Sequence, residues 1–401
     1  ESREVDLGEL IGRRSGFGHL TLRHSGRPLE VAAHVMIMDH HRGLTFDEHF
    51  QLRSQFLSNR LVGVSDLGVI PTESSLAVAN TTNERRRVTI RGSYGPRQGS
   101  VTLTLESRET RLLDFAQLFP EHEAKGESLN KTTMAIEVDH DGNRGEVLVQ
   151  GLLSGLPGMT ANLRMVDRAK LRSTRAISPL LRLTPRQRPR LALYNLGTAE
   201  LAVKPIVHYR RGKNLDRQEL AAVVLLPGQV FGQDLASAIP AGGSELGLSL
   251  AHDGAPGSLV AELLLIDEVR NTVIPATPKD AEGESLVGMT FAWKLGNGAS
   301  TVIALANPSL EEEINYHLVL FFDGKTYTYD GGEFLQPGEV RHIDIRRLRD
   351  ESSPGQGGKL LPPDVTSGQA KVFVRNTPDR VRKIVGQADD VGPRGPVSAM
   401  L

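Results

Sequence analysis

Apolar and polar residues alternate along short runs through most of this chain, and turn-forming residues separate the runs. The stretch Thr301 to Ile345 shows the pattern most clearly, with an apolar run closed by Asn-Pro, two strand-like runs, a Pro-Gly turn and a last alternating run. Successive side chains of a β-strand point to opposite faces, so this alternation is typical of strands with one buried face. The pattern therefore predicts an all-β fold.

The same pattern occurs twice more upstream. Asn80, Asn195 and Asn307 each end an apolar run, and they lie 115 and then 112 residues apart. An aromatic residue follows each Asn after 14 positions, and an Asp lies in each closing run: Tyr94, Tyr209 and Phe321, then Asp114, Asp234 and Asp344. A repeat of this length predicts three tandem β-sandwich domains, each large enough to bury a core of its own.

Three short turns are each flanked by alternating runs. They are His24-Ser-Gly26, His140-Asp-Gly142 and His252-Asp-Gly254. Asp-Gly between alternating hydrophobic residues is a strong hairpin signal, because Asp and Gly tolerate the positive φ angles of tight hairpin turns. Each turn is therefore predicted to join two paired strands. We call each repeat from its Asn to its closing Asp run an Asn unit. A fourth hairpin is predicted between Ala370 and Val385, with no Asn unit after it.

These landmarks divide the chain into four predicted segments. They are a first β-sandwich over 1–126, a second over 127–240, a third over 241–362, and a linker with an orphan hairpin and tail over 363–401. Thr45-Phe-Asp-Glu48 has the capping-box pattern that often begins a helix, so a short helix is expected over 46–58.

Composition narrows the range of functions. Aromatic residues make up only 5% of the chain, so its cores must be mainly aliphatic. The net charge of −1 gives no electrostatic case for nucleic acid or an anionic membrane as partner. Cysteine is absent, which excludes disulfides and thiolate chemistry. No run is long enough to span a membrane, and a start at Glu1 fits removal of an export signal.

Two acidic and histidine-rich segments are candidates for metal or catalytic chemistry. The first could supply a zinc or general-base site and contains His34, Asp39, His40, His41, Asp47, Glu48 and His49. Its spacing matches no zinc-binding helix pair, so a surface role without metal is favoured. The second, Asp139 to Glu146, resembles the start of a calcium loop but lacks the acid expected at its twelfth position. A hairpin turn explains it better, and we expect neither metal nor cofactor.

The recurring polar residues are better explained by structure than by catalysis. The three turn histidines are predicted to contact their own backbone. Asp114, Asp234 and Asp344 are predicted to hold a turn or to cap a short segment such as FAQL or ASAI.

A basic stretch over 168–190 is the most unusual surface feature of the sequence. Its arginines include Arg168, Arg172, Arg175, Arg186 and Arg188. One interpretation is a solvated loop and strand face. The other is a contact with an acidic partner, such as the Glu311-Glu312-Glu313 run of another copy.

The Asn-Pro or Asn-Thr strand end and the Leu-x-Pro-Gly-Glu turn resemble bacterial secreted or cell-envelope proteins made of tandem immunoglobulin-like β-sandwich repeats. The resemblance spans residues 15 to about 385. In the first repeat Ser107-Arg108 replaces Pro-Gly. The resemblance implies an exported structural, adhesive or binding role, since this fold carries many unrelated functions.

The sequence thus predicts a non-enzymatic subunit, extracellular or on the cell surface, that assembles head to tail. One terminal hairpin, over 15–38 or 370–385, lacks a complete domain and could pair with another copy. The candidate contacts in the second of these are Val372, Val374, Val381 and Ile384. Alternatively, the spare hairpin completes the neighbouring sandwich. A secreted protein that binds an anionic glycan is the alternative function, and an enzyme using the histidine cluster is the least favoured.

Overall fold

The computed structural model shows a chain built almost entirely of β-strands. It describes residues 19–22, 25, 34–39, 44–49, 56–67, 71–95, 97–119, 133–155, 159–178, 181–212, 214–267, 269, 272–280, 288–295, 300–307, 312–329, 334–336, 339–374, 385–392 and 395–397. The fold class predicted from the alternation is therefore confirmed at the level of an all-β, sandwich-like architecture. Over these described residues, no helix has the length and apolar character that a membrane crossing requires.

The chain divides into two compact units. One spans 1–16, 22–50 and 284–401, and the other spans 17–21 and 51–283. The first unit contains a small hairpin, in which β1 (His34–Asp39) pairs antiparallel with β2 (Leu44–His49). Among the described strands, β1 and β2 pair only with each other.

The second unit begins with two facing sheets, the first sheet pair. One sheet has the strand order β10-β9-β4-β7 and the other the order β11-β3-β8-β5-β6. The bounds are β3 Arg60–Asp66, β4 Pro71–Asn80, β5 Arg86–Tyr94, β6 Arg97–Leu105, β7 Thr110–Asp114, β8 Thr133–His140, β9 Val147–Gly155, β10 Met159–Leu163 and β11 Val166–Asp167. Side chains from both sheets form one core, including Leu76, Ile90, Val138 and Leu153.

The same unit continues with the second sheet pair. Its sheets have the orders β16-β15-β19-β12-β22, with β13 and β17 attached to it, and β18-β14-β20-β21. The bounds are β12 Arg175–Ile177, β13 Leu181–Arg182, β14 Gln187–Asn195, β15 Leu201–Arg211, β16 Asn214–Glu219, β17 Val223–Leu225, β18 Val230–Asp234, β19 Gly243–His252, β20 Leu259–Asp267, β21 Thr272–Ala276 and β22 Lys279–Asp280.

The two sheet pairs of this unit share an apolar interface. Strand β3 packs against β14 and β20, while β8 packs against β18. The interface buries Val62, Val64, Ala135, Ala192, Tyr194, Leu196, Val230 and Val260. Close approach is essential here, because a Cβ at Gly232 of β18 would lie 2.1 Å from Oδ2 of Asp66. The strands in the middle of this unit are therefore covered on both faces.

The first unit carries the third sheet pair. Its sheets have the orders β23-β29-β25-β26, with β27 attached to β25, and β28-β24-β30-β31. The bounds are β23 Gly288–Lys294, β24 Ser300–Ala306, β25 Ile314–Phe322, β26 Lys325–Thr328, β27 Phe334–Leu335, β28 Val340–Asp344, α1 Ile345–Asp350, β29 Ser367–Val374, β30 Val385–Gly392 and β31 Gly395–Val397. Its core contains Trp293, Tyr316 and Tyr327.

The predicted helix over 46–58 is wrong. Residues Leu44–His49 form strand β2, and Phe56 to Asn59 are not helical. A capping box is a local pattern whose energy is only about 1 kcal/mol, whereas pairing with β1 gives this segment a full ladder of hydrogen bonds. Tertiary pairing therefore overrides the local signal.

The His-Asp-Gly turns do not form hairpins. His140 ends β8 in one sheet of the first pair, and the next strand, β9, lies in the facing sheet. His252 likewise ends β19, and β20 follows in the facing sheet. The six residues between the strands in each case let the chain cross from one sheet to the other, a distance of about 10 Å. The predicted hairpin over 370–385 fails similarly, because β29 and β30 belong to different sheets.

Strand pairing crosses all three predicted domain boundaries. Strand β8 lies after position 126 but pairs with β3 and β5. Strands β19 and β29, which follow positions 240 and 362, pair with β15 and β25 in the same way. A repeat pattern gives the length of a unit but not where a unit begins. In the structure, each pair of strands around a His-Asp-Gly turn completes the Asn unit before it.

Candidate functional site

The recurring Asn residues tie strand ends to neighbouring turns. The side-chain amide of Asn80 donates to the carbonyl oxygens of Glu84 and Glu106, at 2.6 and 2.8 Å. Asn195 makes the equivalent bonds to Ala199 and Leu225, both at 2.9 Å. Asn307 donates to three carbonyl oxygens, those of residues 312, 335 and 336. All three side chains are buried. Asn80-Thr81-Thr82 matches the sequence of a glycosylation sequon, but the Asn80 side chain is not accessible in the folded chain.

The recurring Asp residues hold a turn or cap a short helical segment, as predicted: Asp114 and Asp344 are helix N-caps, and Asp234 holds the turn that precedes the short helix 236–238. Oδ1 of Asp114 accepts a hydrogen bond from the Ala116 amide at 2.9 Å, and Oδ1 of Asp234 accepts one from the Ala236 amide at 2.8 Å. Asp344 caps α1 by accepting from the amide of residue 346 at 2.9 Å. Each carboxylate thus satisfies backbone donors that a helix start leaves without partners.

The Asp of each His-Asp-Gly turn has a role that the sequence did not reveal. Asp141 accepts the amide hydrogen of Arg87 at 2.9 Å, and Asp253 accepts that of Ala202 at 2.9 Å. Each carboxylate therefore ties its turn to a neighbouring strand: Asp141 to β5 and Asp253 to β15. The ring atom Nδ1 of both His140 and His252 has no hydrogen-bond partner in the described structure. Burial lowers the pKa of both rings. The predicted contacts of these histidines with their own turn backbone are not seen, and His24 lies outside the described residues.

The acids of the calcium-loop candidate bond to arginines and amides. Asp139 pairs with Arg60 at 2.9 Å and also with Arg91. Glu146 pairs with Arg86 at 2.8 Å and accepts the amide hydrogen of Asn143 at 2.8 Å. Burial alone would raise the pKa of Glu146, but the Asn143 hydrogen bonds and the Arg86 charge lower it to about 2. Asp139 thus links neighbouring strands of one sheet, and Glu146 holds the segment that crosses between the two sheets.

The histidine-rich segment of the sequence falls on β1 and β2. The register places His34 opposite His49, and residue 48 opposite residue 35. His40 and His41 lie outside the described residues. Over the part of the chain that the structure describes, no group of three or more His, Asp or Glu side chains is arranged to hold a metal ion.

The basic stretch separates into interface and surface residues. Arg168 lies 3.7 Å from the carboxylate of Glu137 and donates to the Leu196 carbonyl at 3.2 Å. Arg190 pairs at 2.8 Å with Asp66, whose side chain is fully buried. These two arginines therefore link the first and second sheet pairs. The Tyr194 hydroxyl adds a hydrogen bond to Glu137 at 2.5 Å across the same interface.

Four further arginines of this stretch lie on the surface: Arg172, Arg175, Arg186 and Arg188. Arg172 donates to the Ala169 carbonyl at 2.9 Å, and Arg188 pairs with Asp234 at 3.3 Å. Arg175 and Arg186 are exposed. Arg175 borders a shallow cleft that also includes Ser173, His252 and Thr277. The structure therefore brings only part of the predicted basic patch to the solvent.

The remaining candidate contacts lie in or beside the third sheet pair. Val372 and Val374 are buried in its core, because β29 pairs with β23 on one side and β25 on the other. Glu313 is exposed and accepts a hydrogen bond from Gln336 at 3.4 Å, while the Glu312 carbonyl accepts from Asn307. Three candidates lie outside the described residues: Glu311, Val381 and Ile384.

Glu262 is the most unusual side chain in the described structure. It lies on β20 at the interface of the two sheet pairs, is 2% exposed, and neither carboxyl oxygen has a hydrogen-bond partner among the described residues. Burial raises its pKa to about 8, against the opposing effects of Arg164 and Ser65. At neutral pH the side chain is therefore mostly protonated. The sequence signal was a single acid inside the apolar run of β20.

Comparisons with known proteins add no relative to this description. No family model matches the chain, and no curated protein or solved structure shows significant similarity to it.

Proposed function

We propose that this chain is an exported, non-enzymatic structural or adhesive protein of three tandem immunoglobulin-like β-sandwich domains. Its copies assemble head to tail at the cell surface or outside the cell. The three Asn units, each followed by a crossing between facing sheets, support the domain assignment. The recurring Asn and Asp side chains bond to backbone groups, which is the role of residues that maintain a scaffold.

The observation that carries the assembly is the hairpin β1–β2. Among the described strands, β1 and β2 pair only with each other, although β2 approaches β31. The C-terminal strands β29 and β30 are instead each paired on both sides within the third sheet pair. A two-stranded sheet is marginal in water, and its open edges invite pairing with another chain. The spare hairpin of the fold is therefore at the N-terminal end, and we assign assembly to it.

Two N-terminal deletions test this assignment. Removal of residues 1–33 keeps the hairpin, and removal of residues 1–50 takes it away. If the hairpin pairs with a neighbouring copy, particle length by light scattering and electron microscopy stays unchanged in the first variant and falls to at most a pair of chains in the second. Equal particle sizes for both variants and the full chain contradict the proposal, as does a monomeric full chain at high concentration.

Recognition of an anionic glycan is a second candidate function, favoured by the cleft beside Arg175. Ser173, His252 and Thr277 supply polar groups there, and Leu259 and Ala261 supply an apolar floor. The Thr277 hydroxyl and the Nδ1 of His252 have no hydrogen-bond partner among the described residues. Small-ligand sites typically combine such a floor with a few polar groups and a charge.

Melting temperatures in the presence of sulfated and uronic-acid oligosaccharides test this candidate. We expect a rise for the native protein and none for Arg175→Ala, with Arg217→Ala on the edge strand β16 as a matched surface control. No rise with any anionic oligosaccharide, or an equal rise in both variants, excludes the cleft as the site.

A further inference from the structure

Each of the three sheet pairs contains a hairpin at the same position of the fold. The second strand of each hairpin lies at the edge of a sheet. These hairpins are β5–β6, β15–β16 and β25–β26. In each, two residues separate the strands, and a Gly in this loop has a positive φ, namely Gly95, Gly212 and Gly324. The three edge strands are therefore equivalent positions of the fold and can be compared directly.

The edge strands differ in how well they are protected against pairing. Natural sheets protect an edge by making it short, charged or bulged. Strand β16 has six residues with three charges, Asp216, Arg217 and Glu219, and β26 has only four residues. Strand β6 has nine residues, pairs with β5 without a bulge, and carries no charge after Arg97. Only β6 of these three edges is long, regular and uncharged along most of its length.

The register of the hairpin shows which backbone groups of β6 point outward. Tyr94 and Arg97 flank the two-residue loop, so they exchange both of their hydrogen bonds, and every second pair along the strands does the same. The amides and carbonyls of Gln98, Ser100, Thr102 and Thr104 therefore point to the open edge. Their side chains are exposed, and no described strand pairs with this edge.

The outward groups of β6 are complementary to those of a second β6 strand running antiparallel. With Val101 opposite Val101 of the second copy, Gln98 faces Thr104 and Ser100 faces Thr102, which gives about eight hydrogen bonds between the copies. Leu103 then faces Gly99, where there is no side chain to obstruct it. No like charges meet between positions 98 and 104, and a two-fold axis makes the contact self-complementary.

We propose that β6 is an interaction surface for a second copy of this chain, which pairs antiparallel with it about a two-fold axis at Val101. The first sheet pairs of the two copies then share one continuous sheet across the contact. This inference is independent of the assembly through β1–β2. A chain without residues 1–50 is expected to keep the β6 contact.

Single cysteines test both the contact and its register, because the natural chain has no cysteine. Residue 101 and its copy form a non-hydrogen-bonded pair with Cα atoms about 4.5 Å apart, which suits a disulfide. Leu103 and its copy are offset by four residues, or about 13 Å, which is too far. We expect Val101→Cys to form a disulfide-linked dimer on mild oxidation and Leu103→Cys to form no disulfide between copies.

Thr102→Pro provides a second, backbone-level test in the Val101→Cys background. Proline removes the outward amide of residue 102 and leaves the hydrogen bonds to β5 intact, a position at which edge strands tolerate proline. Cross-linking should fall at least tenfold, and the circular dichroism spectrum should not change. Thr102→Val serves as the control that keeps the amide.

The possible outcomes separate this contact from other occupants of the edge. Equal cross-linking of the two cysteine variants means a different register or random collision and overturns the proposal. Absence of cross-linking in both variants overturns it as well, whether another part of the same chain or an unrelated partner covers the edge. Cross-linking of Val101→Cys that survives Thr102→Pro shows that backbone pairing does not hold the copies together.

Discussion

Strands β20 and β25 have the same length, but β20 is buried on both faces and β25 is fully buried on only one. All nine residues of β20 are buried, whereas buried and half-buried residues alternate along the nine residues of β25. Strand β20 lies between the core of the second sheet pair and the interface with the first, so both of its faces are covered by protein. Only alternate residues of β25 belong to the core of the third sheet pair.

The difference teaches that the apolar pattern of a strand reports how many of its faces are covered. Leu259 to Ile266 is almost continuously apolar because neither face meets water. Burial alternates along Ile314 to Phe322 because one face is only partly covered, and the polar residues Asn315 and His317 lie on that face. A single polar residue has a different meaning in the two strands. In β25 a polar side chain lies on the partly exposed face. In β20 the Glu262 side chain has no access to solvent.

Introducing the same charge into both strands is expected to give the largest contrast. Val260→Asp places a carboxylate in the interface of the two sheet pairs and should lower the free energy of unfolding by more than about 5 kcal/mol. Val319→Asp places it on the partly covered face of β25, opposite Lys371, and should change this free energy by less than about 1 kcal/mol. Urea unfolding followed by circular dichroism measures both changes.

Fluorescence provides the internal control for that experiment. Trp293 is the single tryptophan of the chain and lies in the core of the third sheet pair. Its emission should stay native in Val260→Asp while the circular dichroism signal decreases. Similar losses of stability in the two variants would show that the second face of β20 is not closed to water.

Glu262→Gln is expected to remove a pH dependence of stability that comes from the covered second face of β20. The folded pKa of about 8 exceeds the unfolded value of 4.5, so the native state keeps a proton that the unfolded state has lost. The free energy of unfolding therefore falls by several kcal/mol as the pH rises from 4.5 to 8, and it levels off above pH 8. Unfolding at pH 5, 6.5 and 8 should show a smaller fall in the variant. Parallel pH profiles of the two proteins would contradict a buried, protonated Glu262.

Arg190 and Arg188 of strand β14 test the same contrast between a covered position and an exposed position. Arg190 pairs with the buried Asp66, so Arg190→Ala leaves a buried carboxylate without its cation and should cost about 3 kcal/mol. Arg188 pairs with Asp234 on the surface, and Arg188→Ala should cost less than about 0.5 kcal/mol. Thermal unfolding at low and high salt separates them further, because only the exposed pair is screened. Equal losses would mean that the Asp66 side chain reaches solvent.

Part of the polar framework could be predicted from the sequence because its function is local. Asp114, Asp234 and Asp344 each bond to an amide two residues away, so the recurring pattern was enough to predict that they hold turns or cap short segments. The same turn geometry recurs even where its residues differ. Arg108 has a φ of 59° at the position where the second repeat has Gly228 with a φ of 70°. Hydrogen bonds from Arg108 to Asn83 and to the Thr81 carbonyl accompany this conformation.

Signals that depended on distant partners were less informative. The capping box at Thr45 could not show that β1 would pair with the same residues. Alternating runs around His140 and His252 could not show that the two strands would enter different sheets, because a hairpin and a crossing have the same period. The same reason explains why some arginines of the basic stretch are in the interface and others are on the surface. Arg168 and Arg190 meet acids 31 and 124 residues away in sequence, at Glu137 and Asp66.

The sequence by itself determined that this chain forms strands, how long its repeat is, and which Asn and Asp residues hold the turns, since these depend on side-chain alternation and on contacts with nearby backbone. Only the tertiary structure decided which strands share a sheet, where each unit begins, and which faces are covered. Those outcomes depend on packing between segments far apart in sequence. Glu262 illustrates both: its place in an apolar run is visible in the sequence, but its loss of solvent follows from one sheet pair packing against another.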